Sequence, residues 1–481
     1  MAPRTRRSRP WIRLRRVLQV VIPVGVAFLA ASPRQAGAET IESALAKAYE
    51  NNPQLNAQRA IVRQTDEGVP QALSGYRPTI SANATVARQY SDVKDTIPAS
   101  PGIPNGISFS DRGLSTPHSI GGTVSGTLFN GEQTSNKVRA AESQVSAARE
   151  TLRMMEESVL LSAATVFMDM SRDSANLEVQ QNNVKVLQRT LQDTNNRFAA
   201  GQVTDTDVAQ SEAQLAAAQA TMHAAESTLM TTRANYRRII GVEPTNLAPA
   251  SAVDRLAPST LNAAVAVGIA ENPSITAALY GVDVAQLQVK IAEGALLPTL
   301  TGQYNVQQYL FPQITIPKQY TNTVQLNLSV PLYQGGAEYS AIRLDKENVD
   351  QQRLNADQVR DQTRANVVQA WGQLQAAKAE VEAAVRQNDA AARALTGVRN
   401  EALAGQRTTQ DVLIAEQVLV NARQSLILSQ HDRVVASYSL LSAIGRLSAQ
   451  ELALQVTIYD PSTHYHQVRD SWIGVRTPSG Q

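Results

Sequence analysis

The sequence contains no cysteine, which excludes thiol catalysis, disulfides and acylation at cysteine. Aromatic residues fill only 5% of its 481 positions, while Ala, Gln, Leu and Val crowd the middle of the chain. That composition suits long helices closely packed over a narrow seam better than a thick globular core. Neither sign of charge is in excess, with 44 Lys and Arg against 42 Asp and Glu. The one basic cluster sits at the extreme N-terminus, so nucleic acid is not an expected partner. A nucleophile elbow, a phosphate loop and an HExxH pattern are all missing, so no enzyme activity, catalytic residue or cofactor is expected. Beyond residue 38 there is also no apolar run of membrane-helix length. Any membrane crossing by the exported chain has to use β-barrel strands.

The N-terminus reads as an export signal. Arg4, Arg6, Arg7, Arg9, Arg13, Arg15 and Arg16 precede an apolar run over residues 17–31, and Ala36-Gly37-Ala38 offers a small-residue cleavage site. Residues 1–38 are therefore assigned to a signal peptide. Pro23 and the shortness of the run disfavour a retained anchor helix.

The exported chain is written twice. Asn52-Pro53 and Asn272-Pro273 lie 220 positions apart, as do Pro78 and Pro298. From Phe129-Asn130-Gly131 and Tyr333-Gln334-Gly335 onward the offset is 204, and it holds for Gly201 and Gly405, Asp207 and Asp411, and Gly241 and Gly445. The run from 129 to 241 thus carries no net gap, as paired rigid rods require, and loops between 78 and 129 absorb the difference. The chain is a tandem duplication of strand–strand–helix–helix. Its expected divisions are 39–78 (helices), 79–129 (first β-hairpin), 130–241 (first helical hairpin), 242–298 (linker and helix), 299–334 (second β-hairpin), 335–445 (second helical hairpin) and 446–481 (tail).

Four segments alternate with period two. Ile80, Ala82, Ala84 and Val86 interleave with Ser81, Asn83 and Thr85, and Ile120, Val124 and Leu128 with Thr123, Ser125 and Thr127. Leu300, Tyr304 and Val306 interleave with Thr301, Asn305 and Gln307, and the run from Val324 to Leu332 with Gln325, Asn327 and Ser329. Apolar on one face and uncharged polar on the other, they fit barrel strands between lipid and a watery lumen. Tyr76, Phe129 and Tyr333 mark one interfacial girdle, and Tyr90, Tyr309, Phe311 and Tyr320 the other. Residues 91–117, rich in Pro, Gly, Ser and Asp, read as a long external loop. Four strands cannot close a transmembrane barrel, since the smallest have about eight. An oligomer is required, and two or three copies both satisfy the arithmetic.

The helical segments carry heptads: Val138, Val145, Leu152, Val159 and Val166, then Met170, Leu177, Val184, Leu191 and Phe198. The four-residue step at Met170 reads as a stutter. The return helix has Val208, Leu215, Met222, Leu229 and Tyr236. A helix from 136 to 200 would be on the order of 100 Å long, which places it in an aqueous space. At its end, Gly201 with Thr204-x-x-Asp207, and Gly405 with Thr408-x-x-Asp411, form helix-stop and capping-box signals. Capping accounts for both aspartates. It does not account for Arg407, a cation just before a helix N-terminus, which calls for a carboxylate partner.

Residues 324–336 (Val-Gln-Leu-Asn-Leu-Ser-Val-Pro-Leu-Tyr-Gln-Gly-Gly), Leu297-Pro298-Thr299-Leu300, Arg197-Phe198 with Gly201, and residues 405–412 resemble the TolC-type outer-membrane efflux and secretion channels. The likeness covers residues 39–455. It implies a homotrimer with four strands per chain, hence a twelve-stranded barrel in outer-membrane lipid above a long α-helical barrel crossing the periplasm. A mixed equatorial band would come from 39–74, 242–297 and the tail. Partners implied are a periplasmic adaptor and an inner-membrane transporter, with drugs or polypeptides as cargo. The resemblance places a periplasmic gate at Thr206, Asp207 and Arg407, an acidic pore ring at Asp411, and adaptor contacts at Gly201, Val203, Gly405 and Gln406. Ala402 and Ile414 replace a gate tyrosine and a second acidic ring, which implies a gate held by fewer bonds. A soluble periplasmic coiled-coil adaptor or scaffold is the alternative; it explains the hairpins but not the strands. In the tail, His464 and His466 lack a third metal ligand, and Tyr459, Tyr465 and Trp472 are expected to pack it against the band.

Overall fold

A computed structural model describes residues 38–313, 316–478 and 480. Of the leader read over residues 1–38, residues 1–37 lie outside the described residues. The first repeat opens with α1 (Ile41–Asn51), α2 (Pro53–Asp66) and α3 (Gly68–Leu73). Strands β1 (Thr79–Val86), β2 (Gln89–Ile97), β3 (Ile107–Ser115) and β4 (His118–Asn130) lead into α4 (Gln133–Ala199) and α5 (Asp205–Ile240). The second repeat follows as α6 (Leu261–Glu271), α7 (Pro273–Gly294), β5 (Thr299–Gln313), β6 (Ile316–Ser329), α8 (Ala337–Leu403) and α9 (Thr409–Ala443), with α10 (Ser462–Val468) in the tail. Both long helices have 67 residues and begin and end 204 positions apart.

The duplication reaches individual hydrogen bonds. Asn52 caps α2 by accepting from the N–H of Gln54 at 2.9 Å, while its side-chain amide donates to the Ile239 carbonyl at 3.0 Å. Asn272 repeats both acts, accepting from Ser274 N–H at 2.9 Å and donating to the Ala443 carbonyl at 3.0 Å. Each Asn-Pro thus starts one helix and ties down the last turn of another, with proline at the first helical position, where no N–H is needed. Close backbone approach explains one glycine pair: a Cβ on Gly131 or Gly294 would collide with the other's carbonyl.

Strands β1-β4-β5-β6 form one antiparallel sheet. The register aligns Ser81, Thr123, Asn305 and Thr323 in one row and Thr79, Ser125, Gln303 and Gln325 in another. That face carries no charge and lines a shallow groove. The opposite rows hold Ile80, Val124, Tyr304 and Val324, and Ala84, Ile120, Gln308 and Tyr320. Ile80, Ile120, Val324, Leu326 and Leu328 on this apolar face are all exposed. Tyr309 stands in the polar rows beside Ser119 and Thr85, so it faces the groove and not the outer girdle. β6 ends at Ser329, short of Leu332, where Pro331 cannot donate to a ladder.

Residues 91–117 are not a loop. β2 and β3 pair from Gln89↔Ser115 to Ile97↔Ile107 as a separate two-stranded arm, braced by an Arg112–Asp92 ion pair. The Pro and Gly content is concentrated in the tip, residues 98–106, where Gly102 and Gly106 take positive φ.

Helix packing corrects a second expectation. The buried stripe of α4 runs Val138, Val145, Leu152, Val159, Val166, Asp173, Gln180, Leu187 and Thr194, every seventh residue without a stutter. The α8 stripe runs Ile342, Val349, Ala356, Thr363, Ala370, Ala377, Ala384 and Ala391 in the same register. On α5 the buried stripe runs Ser211, Ala218, Ala225 and Thr232, with Tyr236 and Ile240 buried at the helix end, while Leu215 and Met222 flank it half-buried. Small residues at the seam let the helices approach closely. The main hydrophobic core lies mid-length, where α1, α2 and α6 pack around the middle of α4 and α8 and the end of α9, with Phe167, Tyr236, Tyr438 and Leu374 fully enclosed.

Candidate functional site

The two helix tips share one construction. At the first, Gly201 takes φ +74°, and the N–H of Gln202 reaches back to the Arg197 carbonyl at 2.9 Å. At the second, Gly405 takes φ +76°, and Gln406 N–H reaches the Glu401 carbonyl at 2.9 Å. Positive φ at each stop is the reason for glycine there. Thr204 then caps α5: its hydroxyl accepts from Asp207 N–H at 3.3 Å, and the Asp207 carboxylate accepts from the Thr204 N–H at 2.9 Å and hydroxyl at 2.7 Å. Thr408 and Asp411 repeat this with 3.2, 2.9 and 2.8 Å. The Thr204 hydroxyl and N–H hold the Asp207 carboxyl below the usual carboxylate range, and the Thr408 N–H and hydroxyl do the same for Asp411. Both stay ionised near neutral pH.

Arg407 does have a carboxylate partner, but it is Glu401, at 2.9 Å on its own hairpin. Within the protomer Asp207 is engaged by Thr204, not by Arg407. Thr206, Gly201, Gly405 and Gln406 are exposed, and Val203 is half-buried. Ile414 is exposed, and Ala402 borders the space between the hairpins. That space is a cleft of about 790 Å³ whose walls include Arg189, Asp193, Arg197, Arg399, Leu403 and Glu416. Arg399 donates to buried Glu416 at 2.8 Å, bracing the second hairpin from inside.

Above the tips, the hairpins meet along a polar seam that the apolar heptads do not reveal. Gln214 of α5 donates to Gln417 of α9 at 3.0 Å, Gln417 to Asn421 at 2.9 Å, and Gln424 to Asn176 of α4 at 2.9 Å. Buried His431 completes the series, with Nε2 3.0 Å from Asp169 and Nδ1 2.8 Å from Asp432. Arg172 joins Asp169 and Asp173 at 2.8 Å each, and Thr232 of α5 donates to Asp173 at 2.7 Å. Burial opposes the imidazolium, yet the two carboxylates outweigh it and hold His431 above its ordinary value. Burial likewise opposes ionised Asp169, but His431 and Arg172 keep it low. Gln417, Gln424 and His431 are seven residues apart, so a polar heptad was the available signal.

The tail packs as expected at Tyr459, whose N–H donates to the Tyr49 hydroxyl at 3.0 Å, and at Tyr465 beside Val69, Ala141 and Val145. His464 lies 2.9 Å from the fully buried Asp66. Trp472 departs from expectation, because most of its surface is exposed.

Comparison with known proteins fits this architecture. The family model "Outer membrane efflux protein" matches residues 44–242 and 268–446, one match per repeat. The chain belongs to the outer membrane efflux protein family. Outer membrane efflux protein BepC of Brucella suis is 38% identical over 445 residues, 92% of this chain and 93% of BepC. Outer membrane protein TolC of Vibrio cholerae is 27% identical over 431 residues, 86% and 92% of the two chains. In fold, the CmeC outer membrane channel of Campylobacter jejuni superposes with TM-score 0.73 at 16% identity, covering 89% of each chain. As an outer membrane efflux protein the chain is a non-enzymatic conduit of the outer membrane that extends into the periplasm. The soluble-scaffold alternative is not favoured: the family match spans both repeats, and such a scaffold would leave the apolar sheet face in water.

Proposed function

We propose that three copies of this outer membrane efflux protein form one duct, with twelve strands in the membrane and six helical hairpins reaching down from them. In this reading residues 79–129 and 299–334 build the barrel, 130–241 and 335–445 build the periplasmic tube, and 39–78, 242–298 and 446–481 build the band around its middle. The observation that carries it is the pair of 67-residue helices in identical register, which bring two tips to one level below a sheet with an uncovered apolar face. A periplasmic adaptor and an inner-membrane transporter would engage the tips, with Gly201, Val203, Gly405 and Gln406 as contacts. Cargo would enter between the tips and leave passively.

The gate is proposed at Thr206, Asp207 and Arg407, with Asp411 ringing the pore. Arg407 is held by Glu401 within the chain, so closure would have Asp207 of an adjoining hairpin compete for a guanidinium that already has a partner. Such an exchange needs no new desolvation, since both sites are open to water. Single-channel conductance in planar bilayers tests the assignment: Asp207→Ala and Arg407→Ala are each expected to raise it. Unchanged conductance in both overturns the gate.

A further inference from the structure

The tail runs along the first repeat toward the sheet. Tyr459 meets Tyr49, with Arg59 over both rings; His464 meets Asp66; Tyr465 packs on the cluster of Val69, Ala141 and Val145; and Ser471 and Trp472 meet Arg77. The contacts climb in sequence order on both segments, from the central core to the foot of β1. Arg77 donates to the Ser471 carbonyl at 2.6 Å, and its guanidinium lies 4.8 Å from the centre of the Trp472 ring. These contacts fix where Trp472 sits without covering it. Trp472 is 67% exposed, Ile473 92% and Val475 100%.

The surroundings at that height have the same chemistry. Tyr76, Phe129, Leu297, Leu332 and Tyr333 are also exposed, and all lie at the end of the sheet where β1 and β5 begin and β4 and β6 end. The tail therefore brings exposed Trp472, Ile473 and Val475, followed by Arg476, to the end of the sheet where these exposed apolar and aromatic residues lie. Tryptophan and arginine at such a level suit the boundary between acyl chains and headgroups.

We propose that the segment around Trp472 is an interfacial anchor, seated in the periplasm-facing leaflet of the outer membrane and fixing the height of the helical tube relative to the lipid. The proposal rests on the reading that the four-stranded sheet spans the membrane. Trp11 leaves with the leader, so Trp371→Phe makes Trp472 the sole tryptophan of the exported chain. This variant is reconstituted as the assembled protein in vesicles whose phospholipids carry bromine on the acyl chains near the headgroup. The expected result is emission blue-shifted from that of tryptophan in water, with most of it lost to the bromolipid. Water-like emission quenched by acrylamide overturns the anchor. Blue-shifted emission that neither quencher reaches also overturns it, and assigns the segment to a second copy of the chain.

A control separates the two readings. Leu326→Trp, in a chain carrying Trp371→Phe and Trp472→Phe, reports on the apolar sheet face. Quenching there but not at Trp472 removes only the anchor, and quenching at neither site removes the membrane-spanning sheet as well. If Trp371→Phe fails to assemble, the difference in emission between the unaltered chain and Trp472→Phe provides the same readout.

Discussion

Thr204 and Thr408 each use one hydroxyl twice, accepting from the N–H three residues on and donating to the carboxylate of the same residue. Loss of such a cap costs about 1 kcal/mol, and the cost here is local to a tip. Thr204→Ala and Thr408→Ala are expected to speed amide hydrogen exchange in the first turn of α5 or α9 while leaving the mid-length core protected. His431 acts at greater depth. It faces Asp169 and Arg172 on α4, the latter also paired with Asp173, and Asp432 on its own helix, and its folded pKa is raised above 6.5. Its contribution is therefore complete below the unfolded value and is lost as pH rises through the folded one. As pH rises past 6.5 the heat resistance of the assembled protein should fall more steeply for the unaltered chain than for His431→Gln. Equal slopes would show that the imidazole does not tie α9 to α4.

At the scale of elements, period and punctuation were legible and identity at the seam was not. The Asn-Pro starts, the glycine stops and the capping boxes were readable because each is a local backbone event with a narrow choice of residues. The course of the α4 stripe past Met170 was hidden, because apolar side chains alone do not mark it. Asp173, Gln180 and Thr194 hold core positions, and their burial depends on partners from other helices, such as Thr232, which no local pattern reports. Averaging hid the β2–β3 arm: a tip rich in Pro and Gly gave its composition to flanks that pair regularly. This arm forms its own sheet, so a short turn joining residues 88 and 116 should leave the four-stranded sheet intact. A heat-resistant oligomer recovered from the outer membrane is the expected outcome for that deletion. Loss of the oligomer would mean that the arm holds neighbouring copies together.

For the whole molecule, the repeat specifies how copies would join. Among the described residues α7 packs against both α4 and α8, whereas its counterpart α2 packs against α4 without comparable packing on α8, and β1 and β6 are the edge strands of the sheet. The offset of 204 carries Thr123 onto Asn327, and the offset of 220 carries Thr85 onto Asn305. Thr123 pairs with Asn305 inside the chain, so Asn327 should pair with Thr85 of the partner subunit. In a chain without cysteine, Thr85→Cys with Asn327→Cys should cross-link into a covalent series ending at three chains on a denaturing gel. Thr85→Cys with Thr321→Cys should not. A series ending at two chains would replace the trimer. Between the hairpins, the row of glutamine and asparagine has a mechanical consequence. Amides donate and accept alike, so a displaced half-buried Gln424 can trade Asn176 for another amide or for water without leaving either group unpaired. An interlocked apolar seam would hold one register, whereas this amide stretch would let the tip end of the second hairpin shift against the first at nearly constant bond number, up to His431, where the pairing with Asp169 pins α9 to α4.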